Sequence, residues 1–231
     1  KHRSKHRSSQ NTEAAKCLTP KSRYFLCISK LFIEFTQQSS IFGERLYAPY
    51  FNPRSIYMPA HLRFQSQTWA THHVVSRCIQ GFSFLKPTRE IRAITKGVLA
   101  YSLKQHRDTI ELHHYVVLSN HFHLLLSANS TPDLAEFMCF FKGNLARELA
   151  RVHDWHGTLW QKRYSSEEVL DEAGLREIFK YITQNSVKEG LVDHPKDWTG
   201  LHGYHQLVMN KKVSGPWVDR TAYYHSGFCQ N

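Results

Sequence analysis

Residues 109–118 and 121–127 are two strand-length runs parted only by Ser119-Asn120. So short a connection has room for a reversing turn and nothing more, which commits the centre of the chain to an antiparallel hairpin. The segments around it read from that anchor. Residues 69–78 read as a strand, with Val74, Val75 and Ile79 near it. Residues 88–106 read as a helix: Thr88 can cap it, Glu90 lies in the first turn, and Ile91, Ile94, Val98 and Leu99 share a face. Thr131-Pro132-Asp133 opens a longer helix, with Leu134, Phe137, Met138, Phe141, Leu145 and Leu149 at helical spacing. Residues 157–170 are strand or extended loop, and 172–188 a third helix with Leu175, Ile178 and Ile182 inward. Strand, helix, hairpin, helix, strand is the order of an α+β fold. The expectation is an antiparallel sheet with its helices on one face and the hairpin central.

The composition bounds what such a fold would do. Hydrophobic residues make up 41% of the 231, enough for a packed core, while the longest apolar runs are far too short to cross a bilayer. No membrane role is therefore expected. Five cysteines without a CxxC pair argue against a disulfide framework and a cysteine zinc ribbon, and fit a reducing, cytoplasmic setting. A formal charge of +11 points to an anionic partner, nucleic acid before membrane surface. That charge is uneven: residues 1–60 carry ten Lys and Arg against three Glu, and the rest twenty against sixteen. Residues 1–10 repeat KHRS and read as a solvated basic tail, and the first methionine is Met58. Residues 1–57 are accordingly expected to be a basic leader or upstream extension, 58–208 the domain, and 209–231 a C-terminal extension. A secretory signal is disfavoured because Glu34 interrupts the apolar stretch at 23–35. The chain has no GxxxxGK loop, so no nucleotide cofactor is expected.

Within the hairpin lies His121-Phe122-His123. On a strand the two imidazoles share one face while Phe122 turns to the other, and a side-by-side imidazole pair suits a divalent metal. With 16 histidines in the chain, such a triplet arises by chance roughly once, so alone it could be two surface histidines. Two other segments accompany it: LWQKRY at 159–164 and KYITQNSVKEGLVDHPKDW at 180–198. Together with YVVLSNHFHLLL at 115–126, they resemble the HUH single-strand DNA transposases, and among these the bacterial REP-associated tyrosine transposases. The resemblance spans roughly residues 60–208. Ser119 and Ser186 stand where the family commonly has proline.

The resemblance implies a ferredoxin-like, RRM-like HUH fold and a metal-dependent enzyme that cuts and rejoins single strands through a 5′-phosphotyrosine. Tyr181 matches the nucleophile. His121, His123 and Asn185 match the ligands of Mg²⁺ or Mn²⁺. Helical spacing places Tyr181 and Asn185 on one face, although Asn185 could equally cap the end of its helix. Phosphate contacts and base stacking are expected from Lys142, Arg147, Lys162, Arg163, Lys180 and Lys188, interleaved with Trp160 and Tyr164. Arg77 either contacts phosphate or lies on a solvated face. Folded hairpins in single-stranded repeat DNA are the implied substrate, and many relatives act as homodimers. His113, His114, His72 and His73 read as strand residues, His153 and His156 lack a third ligand, and Cys139 reads as core. The rival readings are a DNA-binding remnant that has lost catalysis, and an HUH nickase of the replication-initiator or relaxase kind.

Overall fold

The structure is a computed structural model that describes residues 69–209, 211–218 and 220. The basic segment at 1–57 lies outside the described residues. Four strands, β1 (Ala70–Arg77), β2 (Ile110–Val117), β3 (His121–Ala128) and β4 (Ser165–Glu168), form one antiparallel sheet in the order β2-β3-β1-β4. Three long helices accompany it: α1 (Arg89–Gln105), α2 (Thr131–Val152) and α3 (Glu172–Lys188). A short α4 (Tyr204–Val208) follows. Only four residues of the 157–170 stretch pair as a strand, and Trp160 adds an isolated bridge to Cys78.

Local signals set the helix starts. Thr88 accepts a hydrogen bond from the Ile91 amide, Ser130 from that of Asp133, and Asp171 from that of Gly174. Each cap satisfies an amide that the first turn would otherwise leave bare. The third helix ends at Glu189, and Gly190 follows at φ +68°, a conformation glycine adopts without steric cost.

The layering departs from the expectation of helices on one face. The larger core joins α1 and α2 to one side of the sheet, with Phe122, Leu124 and Leu126 of β3 meeting Phe137, Met138, Phe141 and Leu145. A smaller core on the other side seats α3 through Leu175, Phe179 and Ile182 against Val116, Leu118 and Leu125. The sheet is thus covered on both sides, and every residue of β3 is buried. The hairpin is also less central than expected: β3 is interior, but β2 forms an edge. Cys139 is exposed on α2 beside buried Met138, contrary to its reading as core. Among the described residues no helix is long and apolar enough to cross a membrane.

The C-terminal stretch packs on the α1–α2 side. A Cβ at Gly97 of α1 would lie 1.8 Å from the Pro216 carbonyl oxygen, Trp217 stacks on Tyr101 at 4.7 Å, and Arg220 grips Glu148 of α2 through two hydrogen bonds of 2.6 and 3.0 Å. Burial pushes the Glu148 carboxyl up, but hydrogen bonds from Arg220 and Arg151 outweigh it and hold the group below its ordinary 4.5. A depressed carboxylate stabilises the fold above its unfolded value and loses that contribution as pH falls through the folded one. Thermal melts of the full chain and of Glu148→Gln should therefore differ most at pH 6 and converge as pH drops below 4.5. A gap that stays constant down to pH 3 would mean that the ion pair contributes nothing.

Candidate functional site

Strand alternation does the first placement. His121 and His123 project from β3 on the α3 side, 3% and 4% exposed, with ring centroids 5.1 Å apart. Antiparallel register sets Arg77 of β1 directly across from His121 and Val75 across from His123. Residues opposite one another in such a pair share a face, so His73, two positions before Val75, lies on the same surface.

Both imidazoles of the pair are held at Nδ1. Asn120 Oδ1 lies 2.6 Å from His121 Nδ1, and its amide Nδ2 donates to the Gly81 carbonyl. With its amide oriented in this way, Asn120 accepts the proton of His121 Nδ1 and leaves Nε2 as a bare lone pair. His123 Nδ1 lies 3.0 Å from His73 Nε2, and the two rings are nearly parallel at 15°. His123 Nε2 is buried and has no hydrogen-bond partner. Burial lowers His73 to about 4. Burial, then the Arg77 charge, lowers His121 to about 4 as well. His123 falls well below the usual imidazole range through burial and then the neighbouring charges of His73, His121 and Arg77. All three rings are therefore neutral near pH 7, the form in which imidazole can ligate.

From above, α3 contributes Tyr181 and, one turn on, Asn185. The Tyr181 ring sits 5.4 Å from that of His123 and 6.1 Å from that of His73, and the Lys188 ammonium lies 4.6 Å from its centroid. Tyr181 is 37% exposed, whereas Asn185 is 1% exposed and both its amide atoms lack a hydrogen-bond partner. Asn185 lies inside the helix, four residues before the cap at Glu189, so the capping alternative does not hold. Burial raises the Tyr181 phenol. The adjacent Asn185 amide pulls it down although the contact falls short of a well-formed hydrogen bond; Glu189 then raises it and Arg77 lowers it.

The basic residues divide into two groups. Arg77, Lys180 and Lys188 border the Tyr181 side, and burial and then the Lys180 charge lower the Lys188 pKa. Lys142, Trp160 and Lys162 cluster on the other side of the sheet. There Trp160 packs edge-on against Phe122 and donates to the Lys142 carbonyl, while Lys142 lies over its ring and bonds the Lys162 carbonyl. Trp160 is thus wedged into the fold, with one face covered by Lys142. Arg147 bonds Asn144 along α2, and Arg163 lies 5.8 Å over the ring of buried Tyr164.

Other described histidines mostly bond within the fold. A bulge between Leu112 and His114 interrupts β2. His113 bonds Ser127, and His114, stacked on Phe179, bonds Thr183 and so ties β2 to α3. His153 bonds the Phe84 carbonyl, and His156 is open to solvent. Two site residues escaped the sequence reading of function: His73 and Asn120. The only signal for either was adjacency, Asn120 beside His121 in sequence and His73 across the sheet.

No curated protein matches the sequence. The family model described as Transposase IS200 like matches residues 68–185. Among solved structures, the chain is similar to one described as the REP-associated tyrosine transposase bound to a REP hairpin, with a TM-score of 0.52 at 18% identity over 70% of this chain and 93% of that one. A "putative transposase" from Deinococcus radiodurans R1 aligns more loosely, with a TM-score of 0.37 at 22% identity over 53% of this chain and 92% of that one. The first likeness is one of fold, the four-stranded antiparallel sheet with three helices.

Proposed function

Because this chain belongs to the IS200-like transposase family, we propose that it cuts and rejoins single-stranded DNA by transesterification, with Tyr181 as the nucleophile. One observation carries the reading. Two neutral imidazoles lie together with the Tyr181 ring against His123 and a buried amide beside that phenol, and His123 Nε2 and both amide atoms of Asn185 are buried without hydrogen bonds. Buried polar atoms left bare call for a partner, and an ion is one that would satisfy these. They fit a metal. His121 and His123 would each offer Nε2 and Asn185 its carbonyl oxygen to Mg²⁺ or Mn²⁺, a mixed nitrogen and oxygen set. No group of three His, Cys, Asp or Glu among the described residues could hold an ion, and in this reading Asn185 supplies the third protein ligand. Such an ion would draw charge from a non-bridging oxygen of the scissile phosphate.

The rest of the chemistry belongs to the chain. Arg77, across from His121, would pair with the phosphate, and Lys188 and Lys180 would extend a positive margin along α3. The Tyr181 oxygen attacks phosphorus as its proton leaves. The bond from phosphorus to the 3′ oxygen breaks, and that oxygen takes up a proton to give a free 3′-hydroxyl. A 5′-phosphotyrosine remains, with one phosphate ester exchanged for another. A 3′-hydroxyl can therefore reverse the step, and no nucleotide cofactor is consumed. The partner is taken to be a single strand carrying a folded hairpin, and the working domain 58–208, acting on DNA in the cytoplasm. The test is to incubate the purified chain with a labelled hairpin strand and Mn²⁺ and separate the products under denaturing conditions. A covalent protein–DNA adduct supports the reading. Binding without any adduct would leave only the DNA-binding remnant.

A further inference from the structure

We propose that His73 is a positioning residue: its Nε2 accepts the proton of His123 Nδ1, which fixes His123 as the tautomer with a bare Nε2. The inference rests on the metal reading of the site given above for its purpose, but not for its geometry. Nδ1 of His123 and Nε2 of His73 lie 3.0 Å apart with rings nearly parallel, which is a hydrogen bond between two imidazoles. Two neutral rings can share only one proton across such a contact, so one nitrogen donates and the other accepts.

The surroundings choose between the two arrangements. Were His73 the donor, His123 would carry its proton on Nε2, a buried position with no acceptor in reach. A buried N–H without an acceptor is costly, and a protonated Nε2 could not ligate. With His123 donating, the buried nitrogen is a bare lone pair on a ring that packs against Tyr181. His73 is half-buried and can keep its own proton on Nδ1. The same outcome is reached independently next door, where Asn120 accepts from His121 Nδ1. Two neighbours of different chemistry, one from the turn and one from the adjacent strand, thus present both imidazoles through the same atom. Hydrogen bonds behind a ligand orient it and raise its basicity. His73 also lies beside the proposed nucleophile, with its ring edge-on to Tyr181 at 6.1 Å.

The experiment is nitrogen NMR of the full chain labelled with ¹⁵N-histidine, free of metal and near pH 7.5. The signals of His123 are assigned by their loss in His123→Asn. A protonated Nδ1 and a bare Nε2 at His123 are expected. His73→Phe keeps an aromatic ring beside Tyr181 but offers no acceptor. In it His123 should shift toward the other tautomer, and Mn²⁺ affinity by calorimetry should fall about 10- to 100-fold. His73→Gln supplies an amide oxygen at similar reach and should restore the tautomer and most of the affinity. A wild-type spectrum with the proton on His123 Nε2 overturns the proposal and does not depend on any variant folding. So does a folded His73→Phe protein that matches the wild type in both tautomer and affinity. A wild type with the expected tautomer and no Mn²⁺ uptake supports the role of His73 while sinking the metal reading, so the two fail separately.

Discussion

Tyr181→Phe is expected to bind hairpin DNA as the parent does and to form no covalent product at all. The phenylalanine ring keeps its place against His123 and beneath Lys188, so stability should change by less than about 1 kcal/mol for one hydroxyl. Affinity should keep its salt dependence, because phosphate contacts come from Lys and Arg that the change leaves alone. Only the oxygen that would bond to phosphorus is gone. Tyr115, Tyr164 and Tyr204 make informative controls. Tyr115 and Tyr164 are buried in the larger core, and burial pushes the Tyr115 phenol far up, so neither can meet a phosphate without unfolding. Denaturing electrophoresis with labelled hairpin and Mn²⁺ decides among them. An adduct that survives in Tyr181→Phe and disappears in one of the controls would place the nucleophile elsewhere.

The second large effect concerns the imidazoles. Replacing His121 and His123 together by alanine should abolish both cleavage and the heat of Mn²⁺ binding. These side chains are buried, so the double variant also leaves a gap and strands Asn120 and His73 without their partners. Each change should cost about 0.5–3 kcal/mol, leaving a lower but still cooperative melt. The paired change to His121→Asn and His123→Gln fills more of the space and separates a folding defect from a chemical one. Mn²⁺ affinity unchanged in a folded double variant would move the metal elsewhere. His113 and His114 could not easily take it up, since Ser127 and Thr183 already engage them.

Much of the architecture was legible because its signals are local. Ser119-Asn120 marks a turn, Thr88 caps a helix, and Leu134 to Leu149 trace a stripe at helical spacing, all within a few residues. The side of the sheet taken by α3 was not legible in that way, because an apolar stripe says that a helix has a partner without saying which. A trace was present in β3. Leu124, Leu125 and Leu126 are consecutive rather than alternating, as in strands covered on both faces. Of the candidate site, Tyr181 and Asn185 could be paired by helical spacing and His121 with His123 by strand spacing. Their meeting depends on packing that spacing does not encode. His73 sits fifty positions before His123, and only the register of β1 against β3 makes them neighbours. Trp160 shows the opposite limit. It lies among basic residues in sequence, and the fold also packs its ring edge-on to Phe122 with Lys142 over one face, which sequence did not show.

The division of the hydrophobic interior makes this molecule mechanically lopsided. The helix that carries Tyr181 is fastened by the smaller set of apolar contacts and by the hydrogen bond between His114 of the sheet and Thr183. Partial openings of a protein follow its weaker seams, well below the free energy of complete unfolding. Backbone amides of α3 should then exchange with solvent deuterium sooner than those of β3 and α2. On the proposed chemistry, a strand end bonded to Tyr181 would sit on this less firmly seated helix, while His121 and His123 belong to the more deeply packed sheet.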